Sequence, residues 1–331
     1  VPLHHVGTVV CFGNVMLSTP LMHRLADSGI GLVLLDGHGR FKARLEGPVS
    51  GNVLLRQAQY ERSRDPTFAL GIARCCVAGK IKNARQVLLR GAREAKDAAD
   101  GASLGRSADD LAAALRALPG ANDLDALRGL EGEAARQYFA GLRLVVRADA
   151  RETFRMDGRT RRPPRDRMNA LLSFLYSMLM NDCRSAAEAA GLDPQVGFLH
   201  ALRPGRAALA LDLMEEFRAI ADRLALTLIN RGQIGANDFV EREGGAVLLE
   251  GVLETLRSRH PAIVMTRTAL LIARVIQRLQ HLLTELRSFI DNRGANIGRS
   301  IGEPGQVVVA VDLENVVEEE AHIFDRCFVD R

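Results

Sequence analysis

The sequence predicts an α+β protein, a small N-terminal β-rich domain followed by a larger all-α domain. Three observations carry this. Residues 1–50 hold short runs rich in Val, Ile and Leu, separated by Gly and polar turns. From Val53 onward, apolar residues recur at helical spacing instead. Ala, Leu and Arg dominate the 331 residues, which contain no Trp and few aromatics, as a mostly helical body would. We place the β domain and its junction at 1–52, the helical domain at 53–261, and an atypical, partly helical segment at 262–331. The chain starts at Val1, already in strand-like sequence, so residues upstream are expected.

In order, Val6–Phe12 and Ile30–Asp36 read as strands, with Leu21–Ser28 between them as a short helix capped by Thr19 and opened by Pro20. Asp36-Gly37-His38-Gly39 reads as a hairpin turn into Arg40–Glu46, where Phe41, Ala43 and Leu45 alternate with basic residues. We take His38 as structural. Helices are expected over Leu54–Arg64 and from Asp65-Pro66 to about Arg93. Residues 97–107, rich in Gly, Ala, Ser and Asp, read as a loop before a short helix at Asp109–Leu118. Asp123–Ala148 follows with Leu124, Leu127, Leu130, Ala134, Tyr138 and Leu142 on one stripe. Asn169–Ala190 is apolar nearly all round, which predicts a central place in the bundle. After Gly191–His200 a helix continues to about Asn230. A small hairpin is expected at Asp238–Gly244 and Ala246–Leu249, and helices at Leu253–Arg259 and Arg267–Ile290. The Gly-spaced Gly294–Gly305 lacks the Lys-Ser/Thr pair and strand context of a phosphate loop. Val307–Val311 reads as strand.

The net charge of +4 is concentrated. Residues 151–167 carry seven Arg against Glu152, Asp157 and Asp166, which is the whole of that +4. Concentrated Arg suits a polyanion, and the bland alternative is a solvated basic loop. Five scattered cysteines (11, 75, 76, 183 and 327) show no metal-binding or disulfide spacing and read as reduced thiols of a cytoplasmic protein. No apolar run of spanning length and no signal peptide is present, so no membrane segment is expected.

The strongest chemical signal is Gly197–Arg206, with His200 in a loop closed by Pro204 and Gly205, running into the apolar Ala207–Arg218. That helix carries Asp212, Glu215 and Glu216. Carboxylates so placed are costly unless paired or bound to a cation. Asp212 and Glu215, at i and i+3, share one face within reach of one ion. Glu216 lies about 100° further round, and we expect it to pair with an Arg. Glu131, beside Gly132 in a helix, is a third candidate ligand, and the Gly leaves room for an approach to the backbone. A solvated Glu and a satisfied buried His are the bland readings of Glu131 and His200. One imidazole with two or three carboxylates suits Mg²⁺ or Mn²⁺ better than structural zinc. Beside a concentrated Arg stretch, such a metal points to phosphodiester chemistry.

Leu130-Glu131-Gly132-Glu133-Ala134-Ala135-Arg136-Gln137-Tyr138-Phe139 resembles a motif of the CRISPR-associated spacer-acquisition integrase and endonuclease, the "Cas one" family. So do Arg161-Arg162-Pro163-Pro164-Arg165-Asp166 with Asn169–Tyr176, Gly197-Phe198-Leu199-His200, and Leu211–Arg218. Gly47–Asn52 and Arg56-Gln57-Ala58-Gln59-Tyr60 fit that family's domain junction. The resemblance covers roughly residues 1–250 and lapses after about Pro261. It implies a catalytic helical domain and a single divalent metal, Mg²⁺ or Mn²⁺, held by Glu131, His200 and Glu215, with Asp212 at or just behind it. It further implies a homodimer formed through the β domains and a small ferredoxin-like partner dimer, "Cas two". The implied activity joins the 3′-hydroxyl ends of foreign double-stranded DNA (prespacers) into the CRISPR repeat array by transesterification. The substrate then supplies the nucleophile, so no serine or tyrosine triad is required. Arg161, Arg162, Arg203 and Arg206 are assigned to phosphates from charge and position. For Tyr176 we favour a buried ring with a satisfied hydroxyl over contact with DNA. Two competing functions remain, a catalytically idle or truncated DNA-binding or dimerisation subunit and a general metal-dependent nuclease.

Overall fold

The computed structural model describes residues 8–28, 30–35, 41–45, 53–160, 163–242, 246–249 and 282–291. The chain separates into two compact units, Val1–Asp291 and Asn292–Arg331. His38, the turn around it, Leu253–Arg259 and all readings beyond Asp291 lie outside the described residues, as do Arg161 and Arg162.

Three strands, β1 (Thr8–Phe12), β2 (Gly31–Leu35) and β3 (Phe41–Leu45), form a sheet in that order. Strands β1 and β2 run parallel, Thr8 opposite Gly31, because helix α1 (Thr19–Asp27) carries the chain back between them. β3 pairs antiparallel to β2, Leu32 opposite Leu45. Ser18, one residue before the expected Thr19, caps α1, accepting from the Leu21 N–H, and Pro20 sits in its first turn. Cys11, Leu25, Ile30 and Leu32 make a small core of their own. Arg44 of β3 pairs with Glu188 and so ties the sheet to the helical body.

That body consists of α2 (Val53–Arg62), α3 (Pro66–Glu94), α4 (Ala98–Ala117), α5 (Leu124–Val145), α6 (Arg167–Ala189) and α7 (Ala208–Asn230). The hairpin β4 (Phe239–Arg242) and β5 (Ala246–Leu249) follows as expected. Residues 282–291 are helical, within the amphipathic stretch expected there. Among the described residues no helix is long and apolar enough to cross a membrane.

One expectation is corrected. Residues 98–107 are not a loop, because α4 starts at Ala98 with Asp97 capping the Ala99 and Asp100 N–H groups. Leu104, Ala108 and Leu111, at i, i+4 and i+7, are fully buried, so helical burial overrides the loop-like composition. Helix α6 is buried along most of its length, as expected, and packs on α7, while α3 packs against α4, α5 and α7. Small residues permit this. A Cβ on Gly79 would stand 2.9 Å from the Glu216 side chain of α7, and one on Gly91 would stand 2.8 Å from Val145 of α5.

Candidate active site

Helix α5 presents Glu131 from a turn whose other side is exposed, and a Cβ on the adjacent Gly132 would meet nothing within 4 Å. The gap expected beside Glu131 is therefore open. Helix α7 presents Asp212 and Glu215, both buried. The loop from Gly191 to Ala207 brings His200 to the same end of these helices, and Asp212 shapes it. One Asp212 oxygen accepts the Phe198 and Leu199 N–H groups at 2.5 and 3.0 Å. The other accepts the His200 N–H at 2.9 Å and lies 2.7 Å from His200 Nδ1. Only Gly fits at 197, where a Cβ would come within 2.6 Å of Asp212 and 2.7 Å of the Ala208 backbone.

Two further anchors hold the loop. The Gln59 amide of α2 is fully buried; it donates to the Asp193 and Val196 carbonyls at 2.9 and 2.8 Å and accepts the Asp193 N–H at 2.9 Å. Arg128 of α5 donates to the Leu199 carbonyl at 2.6 Å. His200 is thus fixed by α2, α5 and α7 together.

Glu131 and Glu215 converge on one cation, the Lys80 ammonium of α3. It pairs with Glu131 Oε1 and lies 2.6 Å from Glu215 Oε2. His200 Nε2 faces Glu215 Oε1 at 3.9 Å. Arg218, one turn along α7, lays its fork on both Glu215 oxygens at 2.8 Å and its guanidinium over the Tyr176 ring at 4.6 Å. Burial alone would raise the Glu215 carboxyl, but Lys80 and Arg218 outweigh it and hold the group far below the usual carboxylate range. The Glu216 side chain lies against Gly79 of α3.

Behind this cluster lies a buried polar shell. Asp222 accepts the Tyr176 hydroxyl at 2.5 Å and the Tyr138 hydroxyl at 2.7 Å. Burial outweighs these bonds and keeps the Asp222 carboxyl above its ordinary range. The favoured reading of Tyr176, buried with a satisfied hydroxyl, matches this geometry.

The expected phosphate-binding arginines divide. Arg203 is exposed and Arg206 half-buried; both lie in the His200 loop, where Gly205 adopts φ +72°. The Arg-rich segment is largely structural where it is described. Arg151 is held by Asp100 and two carbonyls, and Arg159 by Asn169, Ser173 and the Thr160 carbonyl. Arg155 pairs with Asp157, and Arg167 reaches the Thr153 carbonyl and Glu241. The charges of Arg151, Arg155, Arg159 and Arg167 are therefore answered by partners within the protein.

Lys80, Arg218 and Gln59 received no role from the sequence, although a signal for Lys80 existed. Ala73, Val77, Ala84, Val87 and Gly91 are buried at alternating spacings of three and four, and Lys80 occupies the missing position of that stripe.

Among the described residues no three His, Cys, Asp or Glu groups already converge as a metal-binding set. The donors nevertheless fit a hard divalent ion. Two carboxylates share a cation, and Asp212 engages Nδ1 of a histidine whose Nε2 faces one of them, Glu215, the arrangement that orients a ligating imidazole.

This sequence matches the family model described as CRISPR associated protein Cas1 over residues 1–258. The chain belongs to the Cas1 family. It is 61% identical over 248 residues to a CRISPR-associated endonuclease Cas1 of Moorella thermoacetica, spanning 75% of this chain and 72% of that protein. Its fold is similar to a CAS1 protein from Thermotoga maritima, with TM-score 0.71, 26% identity, and coverage of 86% and 87% of the two chains. It also resembles a chain of the Cas6-RT-Cas1–Cas2 complex, with TM-score 0.69 and 28% identity, covering 85% of this chain and 31% of that one. The Cas1 fold is mostly helical with a small β region, as the sequence predicts.

Proposed function

We propose that this Cas1 protein is a divalent-metal-dependent DNA integrase that joins 3′-hydroxyl ends of prespacer DNA to a CRISPR repeat array by transesterification. The observation that carries the reading is one cation shared by Glu131 and Glu215 beneath His200 Nε2. Glu131, Glu215 and His200 Nε2 would hold Mg²⁺ or Mn²⁺. A bound ion would polarise a phosphoryl oxygen and stabilise attacking and leaving oxygens.

The chain's own residues do the rest. Asp212 accepts from Nδ1 and the loop backbone, so the imidazole presents a lone pair at Nε2 and its position does not drift. Arg218, pinned by Glu215 and Tyr176, keeps positive charge beside the buried carboxylates. Arg203 and Arg206 neutralise backbone phosphates as the duplex reaches the His200 loop, with Arg161 and Arg162 in the same role. The attacking hydroxyl comes from the DNA, so no protein nucleophile is needed.

A Cas1 homodimer formed through the β domains, a ferredoxin-like Cas2 dimer as partner, and cytoplasmic location complete the proposal. Likeness to a chain of a Cas1–Cas2-containing complex supports the Cas2 contact. The test incubates the protein with Mn²⁺ or Mg²⁺, labelled prespacer and repeat array. Joining is expected, and Glu131→Ala and His200→Ala each abolish it. Unchanged joining in either variant refutes the metal assignment. Cut but never joined products would establish a general nuclease, and metal-indifferent, salt-sensitive binding without product an idle subunit.

A further inference from the structure

Two carboxylates brought together under cover need a positive charge between them. The side chains of Glu131 and Glu215 are 25% and 4% exposed, and Lys80, 13% exposed, supplies that charge. Its Nζ contacts one oxygen of each, Glu131 Oε1 and Glu215 Oε2. A Mg²⁺ ion taken by those oxygens would stand about 2.0–2.1 Å from each. The ion and the ammonium would then overlap, so they exclude one another.

We propose that Lys80 is an exchangeable counter-ion. Its ammonium takes the position of the divalent ion in the metal-free protein and leaves the carboxylates when the ion binds. The proposal rests on the metal-dependent reading above.

The neighbouring cations behave differently by construction. Arg218 is a planar fork bonded to both Glu215 oxygens and stacked on Tyr176, so its charge stays. Lys80 is a point charge on a four-carbon stem, able to swing while its backbone stays fixed between buried Gly79 and Ile81. It also has somewhere to go. A narrow cavity of about 30 Å³, lined by Lys80, Glu131, Ala135, Phe139 and Arg159, opens beside the pair, and that is room for an ammonium head. The exchange keeps the carboxylates neutralised in both states, and metal affinity is set partly by the cost of displacing the lysine.

The experiment measures Mn²⁺ affinity by the electron paramagnetic resonance signal of free Mn²⁺, for wild type, Lys80→Met, Lys80→Gln and Glu131→Gln. Lys80→Met and Lys80→Gln are expected to bind Mn²⁺ about tenfold tighter or more, since a competing unit charge has been removed. Equal or weaker binding in both overturns the proposal while leaving the metal reading intact. If Glu131→Gln binds Mn²⁺ as wild type does, the metal reading falls and the proposal with it. A second measurement needs no variant. Acetylation of Lys80 in the wild-type protein, followed by mass spectrometry, is expected to rise several-fold on adding Mn²⁺ as the ammonium leaves its ion pairs. Unchanged or reduced labelling overturns the exchange.

Discussion

Replacing Asp212 with Asn tests how the loop and the histidine are coupled. The carboxylate receives four donors, with the Phe198 and Leu199 N–H groups on one oxygen and the His200 N–H and Nδ1 on the other. An Asn amide of the same size must put its NH₂ in one of those places. Facing Phe198 and Leu199, it meets two backbone donors that cannot change. Facing His200, it meets one backbone donor and a ring nitrogen that can lose its proton to Nε2. The second choice costs less, so Asp212→Asn is expected to fold with Nδ1 accepting and Nε2 protonated. One buried N–H is then unsatisfied, at about 1–3 kcal/mol, and the two remaining backbone bonds lose charge assistance worth about 1 kcal/mol each. Set against relief of a buried charge, the net loss is about 2–4 kcal/mol. That corresponds to roughly 3–6 °C in melting temperature for a chain of this size. The assay pairs thermal unfolding with nitrogen-15 spectra of the His200 ring, and with Mn²⁺ binding, which fails because Nε2 has no lone pair. Wild-type stability with Nδ1 still protonated would refute the argument.

The remaining predictions address groups away from the metal ligands. Gln59→Leu removes three hydrogen bonds to the 193–196 backbone, and a loss of about 2–4 kcal/mol is expected in urea unfolding. Strand joining should fall with it, because the same loop carries His200; an unchanged midpoint would refute the clamp. Tyr138→Phe strips one partner from the buried Asp222 and should cost about 1–3 kcal/mol, read by denaturant unfolding. Burial raises the Asp182 carboxyl to about 8. Its folded value exceeds its unfolded value, so the folded state binds the extra proton. Stability from the neutral form is complete below about pH 4 and is lost as pH rises towards 8. Asp182→Asn should therefore gain on wild type across that window, by on the order of 2–4 kcal/mol at pH 8, and parallel pH profiles would refute it.

Much of this site was legible because its residues contradict their surroundings. Asp212 and Glu215 stand in an apolar helix, and that conflict is visible without coordinates. The helices followed from periodicity and caps, as at Asp65-Pro66 and Asp123. The failures have physical causes. Small and polar residues at 98–107 look like a loop until Leu104 and Ala108 are seen to be buried. The concentrated Arg of 151–167 reads as suited to a polyanion until Arg151 is seen on Asp100 and Arg159 on Asn169. Lys80 needed its stripe to be read as a whole, and the Gln59 clamp joins segments more than 130 residues apart. Such pairings carry no local signature.

The shared cation joins positions 80, 131 and 215, so the site has no local precursor. A ribosome-bound chain that has released α3 and α5 carries Lys80 and Glu131, yet neither His200 nor Glu215. No fragment made before α7 emerges holds all of these groups. For the metal site proposed above, the order of synthesis itself delays assembly until α7 docks on α3 and α5.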